Sequence, residues 1–107
     1  MEFVDLSKEE RGPIVKFTKD QADHVVVIGE AIVENDRAMA LELYNDMLEA
    51  QTYWKKRAGT AIMRKGKITE RGERLSEHTQ ELAQLRVDIV TGAIEKVEKT
   101  LKAKGWL

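Results

Sequence analysis

The C-terminal third of the chain decides the fold, and its residues 69–105 read TERGERLSEHTQELAQLRVDIVTGAIEKVEKTLKAKG. Apolar residues recur there every three or four positions, which is the period of an α-helix with one buried face. Thr69 is a typical N-cap residue, and acidic residues follow it in the first turn, where the helix dipole favours them. Gly105 comes after a lysine-rich last turn and is a typical stop. The sequence therefore predicts a helix over 70–104.

The apolar stripe of this helix is broader than a two-stranded coiled coil requires. At the usual rise the helix would be about 50 Å long, longer than the helical segment before it. In a monomer, the other helices would not cover the apolar residues on both sides of this helix along its whole length. We therefore expect part of it to pack against a second subunit. Gly92 within it, like Gly29 upstream, is predicted to mark a close approach between helices. The core stripe is predicted as Leu75, Leu82, Leu85, Ile89, Ala93 and Val97, widened by Val87, Val90, Ile94 and Leu101.

Two further helices are predicted upstream. Residues 37–62 hold two neighbouring apolar rows at helical spacing, and residues 14–34 hold one that includes Val26 and Val33 at its edge. Asn35–Asp36 is a typical stop and restart signal, with the aspartate as N-cap of the second helix. Ahead of them, residues 1–13 are interpreted as a leader, in which a capping-box turn ends at Gly12–Pro13.

These elements predict an all-α fold, a three-helix assembly that is oligomeric. We expect one helical domain, 1–107, with its core in 14–107. The last two helices should form a long antiparallel hairpin around a turn at 64–67, with the first laid across them. A strand is the alternative for Val25–Ile28, but no second alternating segment is present to pair with it.

Composition excludes several classes of protein. Cysteine is absent, which removes disulfides, thiol catalysis and Cys-based metal sites. The first twelve residues lack a basic head followed by an apolar run, so they do not indicate a secretory signal. The longest apolar run, Val25–Ile28, is far too short to cross a bilayer. We therefore expect an intracellular, cytoplasmic protein with no membrane partner.

The net charge of the chain is only −1, but its acidic and basic residues are grouped in separate segments. Residues 20–51 contain eight carboxylates and one basic residue, Arg37, whereas residues 52–69 contain six basic residues and no acid. Such a dipolar layout bears on partners and self-association more than on fold.

The basic block is the candidate binding site. Cationic side chains release counterions from phosphates, and an adjoining aromatic ring can stack on a base. Trp54 is the exception, because it extends the apolar row of the second helix and is interpreted as a core residue. The predicted ligand-binding residues are Tyr53, Lys55, Lys56, Arg57, Arg64, Lys65 and Lys67.

No enzyme, cofactor or metal site is predicted. Glu70 and Glu73 have the Glu-x-x-Glu spacing with which helical nucleotide pyrophosphohydrolases hold magnesium, but the Glu-x-x-Asp that should follow is missing. His24 and His78 both lack a glutamate three residues earlier, so the di-metal bundle motif fails twice.

One stretch, Lys67–Leu75, reads KITERGERL and looks like the place where winged-helix regulators leave the wing and enter the next helix. The resemblance covers nine residues and implies a DNA-binding transcriptional regulator with a long dimerising helix. No upstream strand pair or helix-turn-helix accompanies it.

The sequence thus predicts a non-catalytic helical accessory or assembly protein of the kind found in phages and mobile elements. It would self-associate through the helix 70–104 and present its basic tip to nucleic acid, a nucleoprotein or an acidic protein. The alternatives are a winged-helix regulator and a purely structural oligomer whose charges pair between copies.

Overall fold

A computed structural model describes the backbone of residues 7–64 and 70–107, and the side chains of residues 7–59 and 80–107. Within these ranges the chain forms three α-helices and no strand. They are α1 (Lys8–Val33), α2 (Arg37–Arg64) and α3 (Glu70–Lys104). The all-α fold is confirmed, and the predicted limits of the second and third helices agree with those observed to within two residues. The oligomeric state stays a prediction.

The prediction of a separate N-terminal turn that ends at Gly12–Pro13 is wrong, because α1 runs through both residues. Its first turn is closed by Glu10, whose Oε1 accepts hydrogen bonds from the Ser7 backbone N–H at 3.0 Å and the Ser7 hydroxyl at 2.8 Å. Pro13 removes one helical hydrogen bond near an exposed helix start. That loss is offset because the continuous helix buries the next residue, Ile14.

The junction between α1 and α2 confirms the predicted stop and restart. Asn35 has a φ of 61°, and the N–H groups of Asn35 and Asp36 donate to the carbonyls of Ile32 and Ala31 at 3.1 and 2.7 Å. This pattern is a Schellman motif, which satisfies carbonyls at the end of α1. The Asp36 carboxylate then accepts the Met39 N–H at 3.1 Å, as an N-cap of α2 does.

The end of α3 has the same type of C-terminal cap, with glycine in place of asparagine. Gly105 has a φ of 83°, and Trp106 N–H reaches back to the Leu101 carbonyl at 3.0 Å. The predicted glycine stop is confirmed. The turn predicted at 64–67 is described only at Arg64, the last residue of α2, since residues 65–67 and the Thr69 cap lie outside the described residues.

Two side-chain hydrogen bonds fix α2 and α3 as an antiparallel pair. Tyr44 Oη donates to Glu98 at 2.7 Å, and Gln51 Nε2 donates to Thr91 Oγ1 at 2.9 Å. The second pair lies seven residues later in α2 and seven residues earlier in α3, so the helices run in opposite directions. The predicted hairpin is confirmed.

The buried line of α3 differs from the predicted stripe. Val90 and Leu101 are fully buried, whereas Leu82, Leu85 and Ile89 are only half-buried. The reason is that α3 packs against both neighbours, so the line midway between α1 and α2 is the most enclosed. The principal core cluster consists of Ile28, Ala31, Ala40, Tyr44, Met47, Val90, Ile94, Val97 and Leu101.

Two further expectations, one about α1 and one about the glycines within α1 and α3, are also wrong. Val26 and Val33, predicted to widen its core stripe, are exposed. Gly29 and Gly92 do not mark close approaches, because a methyl group added at either meets no atom within 4 Å. Helical spacing places residues on a face, but it does not say how far a neighbouring helix covers that face.

Candidate nucleic-acid interface

Four of the predicted binding residues can be placed, and they lie together in the C-terminal half of α2. Tyr53, Lys55, Lys56 and Arg57 are all exposed, and Tyr53 retains half of its accessible surface. The side chain of Arg64, together with Lys65 and Lys67, lies outside the described side chains. The described site therefore consists of an exposed aromatic ring followed by three cations on successive positions of one helix.

Trp54 organises this part of the molecule. Its ring is half-buried and contacts Phe17 of α1 edge-on, with ring centroids 6.1 Å apart and planes at 85°. Tyr53 also meets it edge-on, at 5.0 Å and 63°. Such geometry is favourable because the positive edge of one ring faces the negative face of another. The interpretation of Trp54 as a core residue needs correction, since it lies at the margin of the apolar core and supports an aromatic group there.

Two guanidinium groups lie over the same indole ring. The Cζ of Arg86, from α3, is 4.4 Å from the Trp54 ring centroid, and the Cζ of Arg57 is 5.7 Å from it. Arg57 also lies 5.7 Å from the Tyr53 ring and donates from Nη1 to Tyr53 Oη at 3.3 Å. These are cation–π contacts, which hold flat cations against aromatic faces. We call Phe17, Tyr53, Trp54, Arg57 and Arg86 the Trp54 cluster.

The charged form of Arg86 is destabilised in this cluster. Burial lowers the pKa of Arg86, and the positive charge of Arg57 lowers it further, while Tyr53 acts in the opposite direction. Two like charges thus converge on one ring at the edge of the core. An anion placed beside them would relieve this repulsion, because opposite charges stabilise the protonated form.

Arg86 belongs to the candidate site by its position over Trp54, and the sequence analysis did not predict it. It is the single basic residue between positions 80 and 95 of α3, between Leu85 and Val87. A lone cation inside an apolar helical segment is a usable signal, but it lies 29 residues from Arg57 in sequence. Only the antiparallel packing of α2 and α3 brings the two together.

Among the described residues, no group of three histidine, aspartate or glutamate side chains is arranged to hold a metal ion. His24 contacts the Asp20 carbonyl oxygen through Nδ1 at 2.7 Å, an interaction within its own helix. None of the helices that the structure describes is long and apolar enough to cross a membrane.

Of the stretch that resembles winged-helix regulators, residues 70–75 are the first turns of α3 and residues 67–69 lie outside the described part. Comparison with known proteins adds no relative: no protein-family model, curated protein or solved structure matches this chain.

Proposed function

We propose that this chain is a non-catalytic, self-associating helical protein that binds single-stranded nucleic acid through the Trp54 cluster and the lysines beside it. The observation that supports this most strongly is the placement of Arg57 and Arg86 over the Trp54 ring. Aromatic rings held beside fixed guanidinium groups are the combination with which proteins bind unpaired bases and their phosphates.

The cationic half of the proposal rests on charge and geometry. Guanidinium groups bind phosphate through two parallel N–H donors, and stacking on a ring fixes the plane in which those donors point. Arg57 and Arg86 are fixed in this way, whereas Lys55 and Lys56 extend from exposed positions one and two residues after Trp54. Phosphate binding would also lower the repulsion between the two arginines.

The aromatic half rests on Tyr53. Its ring is half-exposed, and its position is held by Trp54 on one side and by the Arg57 hydrogen bond. A pre-positioned, exposed ring is a suitable platform for a base, since every base has a face on which to stack. An acidic protein partner would use the cations but would not need this ring.

The proposal is tested by titrating the chain with fluorescent single-stranded oligothymidylate of about 20 nucleotides, a length that covers one or two typical binding sites. Duplex DNA and polyglutamate serve as competitors. We expect single strands to compete best and affinity to fall steeply as salt rises from about 50 to 200 mM. Equal competition by polyglutamate would indicate a general anion site, and absence of binding at 50 mM salt would remove the proposal.

Variants separate the two halves of the site. Arg57→Gln and Arg86→Gln should each reduce the salt dependence by about 0.7 in the log–log slope per lost phosphate contact. Tyr53→Ala should reduce affinity by about 1–3 kcal/mol with the slope unchanged, since stacking is uncharged. Lys99→Gln is the matched control, because it removes one exposed charge from the far half of α3. A loss of the same size in the control contradicts the assignment of the site.

A further inference from the structure

Helix α1 has a second apolar stripe that the three-helix core leaves uncovered. Val15, Val26 and Val33 are 66%, 58% and 87% exposed, and Ala22 is exposed between them. The spacings of seven, four and seven residues place all four on one line along the helix. We call these four residues the valine stripe. The buried residues of α1 lie on another line and are Ile14, Gln21, Ile28 and Ala31.

A groove of about 510 Å³ lies beside this stripe, between α1 and α3. Ala22 and Val26 contribute to one wall, and Ile89 and Gly92 contribute to the other. The space over Gly92 is open, because a methyl group added there meets no atom within 4 Å. The valine stripe and the groove therefore form one continuous apolar surface that a neighbouring helix can enter.

Gln21 borders the groove at its buried side. Its side chain is 7% exposed and lines the groove. Its Oε1 has no hydrogen-bond partner among the described residues, whereas buried polar groups nearly always have one. The floor of the groove is therefore polar at this one atom, and the rest of the apolar surface lies on the valine stripe.

We infer that the valine stripe binds the valine stripe of a second copy, with the two α1 helices antiparallel. The apolar positions are symmetric about His24: Val15 and Val33 lie nine residues from it, and Ala22 and Val26 lie two residues from it. A two-fold axis beside residue 24 therefore places Val15 against Val33 of the other copy and Ala22 against its Val26. Each large side chain meets an apolar partner, as a self-complementary interface requires.

Charge favours the antiparallel orientation over the parallel one. The solvent edge of the stripe is basic early in α1, at Lys16 and Lys19, and acidic late, at Glu30 and Glu34; all four side chains are exposed. Antiparallel helices place the basic half of each copy beside the acidic half of the other. Parallel helices would place the early half of one copy beside the early half of the other, so these opposite charges would not pair. Asp23 of each copy would lie near the axis, and this like pair weakens the association.

This inference deepens the self-association in the proposed function by naming its surface, and it moves that surface from α3 to α1. It does not depend on nucleic-acid binding, because the valine stripe and the Trp54 cluster are separate groups of residues. Oligonucleotide titration of a monomeric variant therefore tests the binding site separately from the dimer.

Sedimentation equilibrium of the full chain tests the dimer. We expect a species of twice the chain mass to dominate at chain concentrations well below about 1 mM. Val26→Glu should lower the association constant at least tenfold, with helix content by circular dichroism unchanged because Val26 is exposed. Val27→Glu is the matched control, since Val27 is 40% exposed and lies off the stripe. A wild-type chain that stays monomeric, or equal losses in both variants, overturns the inference.

Cross-linking tests the orientation. The chain has no native cysteine, so only the introduced cysteines can form disulfides. A mixture of Val15→Cys and Val33→Cys chains should form the mixed disulfide in preference to either homodisulfide, because only antiparallel helices bring these positions together. Asp23→Asn should strengthen the dimer by removing the like pair at the axis. Preferential Val15→Cys homodisulfides, or a weaker dimer with Asp23→Asn, would overturn the antiparallel arrangement.

Discussion

The two ends of the bundle differ in whether their side-chain contacts favour the folded state. At the end where α1 joins α2, Tyr44 and Leu101 are buried, the Tyr44 hydroxyl is paired with Glu98, and helix termini are capped. At the other end, Arg57 and Arg86 converge on a half-buried Trp54 and repel each other. The first arrangement lowers the free energy of the folded state, whereas the second tolerates an unfavourable contact that a ligand would relieve. This difference separates the part of the bundle that supplies stability from the part that holds the proposed binding site.

The largest expected effect comes from the apolar core at the Tyr44 end. Leu101→Ala should lower the free energy of unfolding by about 3 kcal/mol, because it removes a fully buried side chain and leaves a cavity. The denaturant midpoint at unchanged slope measures this loss. Leu107→Ala, at a half-exposed terminal residue, is the control and should change stability by about 0.5 kcal/mol or less. Equal losses would mean that residue 101 is not enclosed.

The buried hydrogen bond at the same end comes next. Tyr44→Phe should cost about 1–2 kcal/mol, since it removes a bond to a carboxylate. Burial and the adjacent Glu98 raise the pKa of Tyr44 from 10.0 to about 12. A raised pKa means that the folded state holds the proton more tightly than the unfolded state. This contribution is therefore complete below pH 10 and is lost as pH rises through 12.

Thermal unfolding across that pH window checks the tyrosine prediction. The wild type should lose more stability than Tyr44→Phe between pH 10 and 12, because only the wild type has this titration. Tyr53→Phe is the control, as Tyr53 is half-exposed. Parallel pH profiles for wild type and Tyr44→Phe would contradict the proposed linkage.

A smaller effect is expected at the start of α2. Asp36→Ala should destabilise by about 1 kcal/mol, because the Met39 N–H loses its acceptor. Asp36→Asn should retain most of the stability, since asparagine caps equally well. If the asparagine variant is as unstable as the alanine variant, the charge of Asp36 matters more than its hydrogen bond.

The smallest change in stability is expected at the Trp54 end, in contrast to the large change expected at the Tyr44 end. Arg86→Gln removes a cation–π contact but also removes the repulsion from Arg57, so the unfolding free energy should change by about 0.5 kcal/mol or less. Affinity for single strands should nevertheless fall. A large loss of stability would instead assign Arg86 a structural role.

The sequence predicted the bounds of the helices more accurately than it predicted which of their side chains are buried. Capping signals are local, so Asn35, Asp36 and Gly105 marked helix ends correctly. The break at Gly12–Pro13 was wrong because α1 runs through both residues: Pro13 removes one helical hydrogen bond, and the continuous helix still buries Ile14. The candidate binding residues on α2 were predicted from their adjacency in sequence, whereas Arg86 was not predicted because its partners are distant in sequence.

By itself, the sequence determined the all-α class, the three helices, most of their ends and the basic segment, because these depend on residues within a few positions of each other. Only the tertiary structure decided which apolar line of α3 is buried, why Val26 and Val33 are exposed, and that Arg86 shares the Trp54 ring with Arg57. These features depend on where one helix lies against another, and that placement is set by packing among residues far apart in the chain.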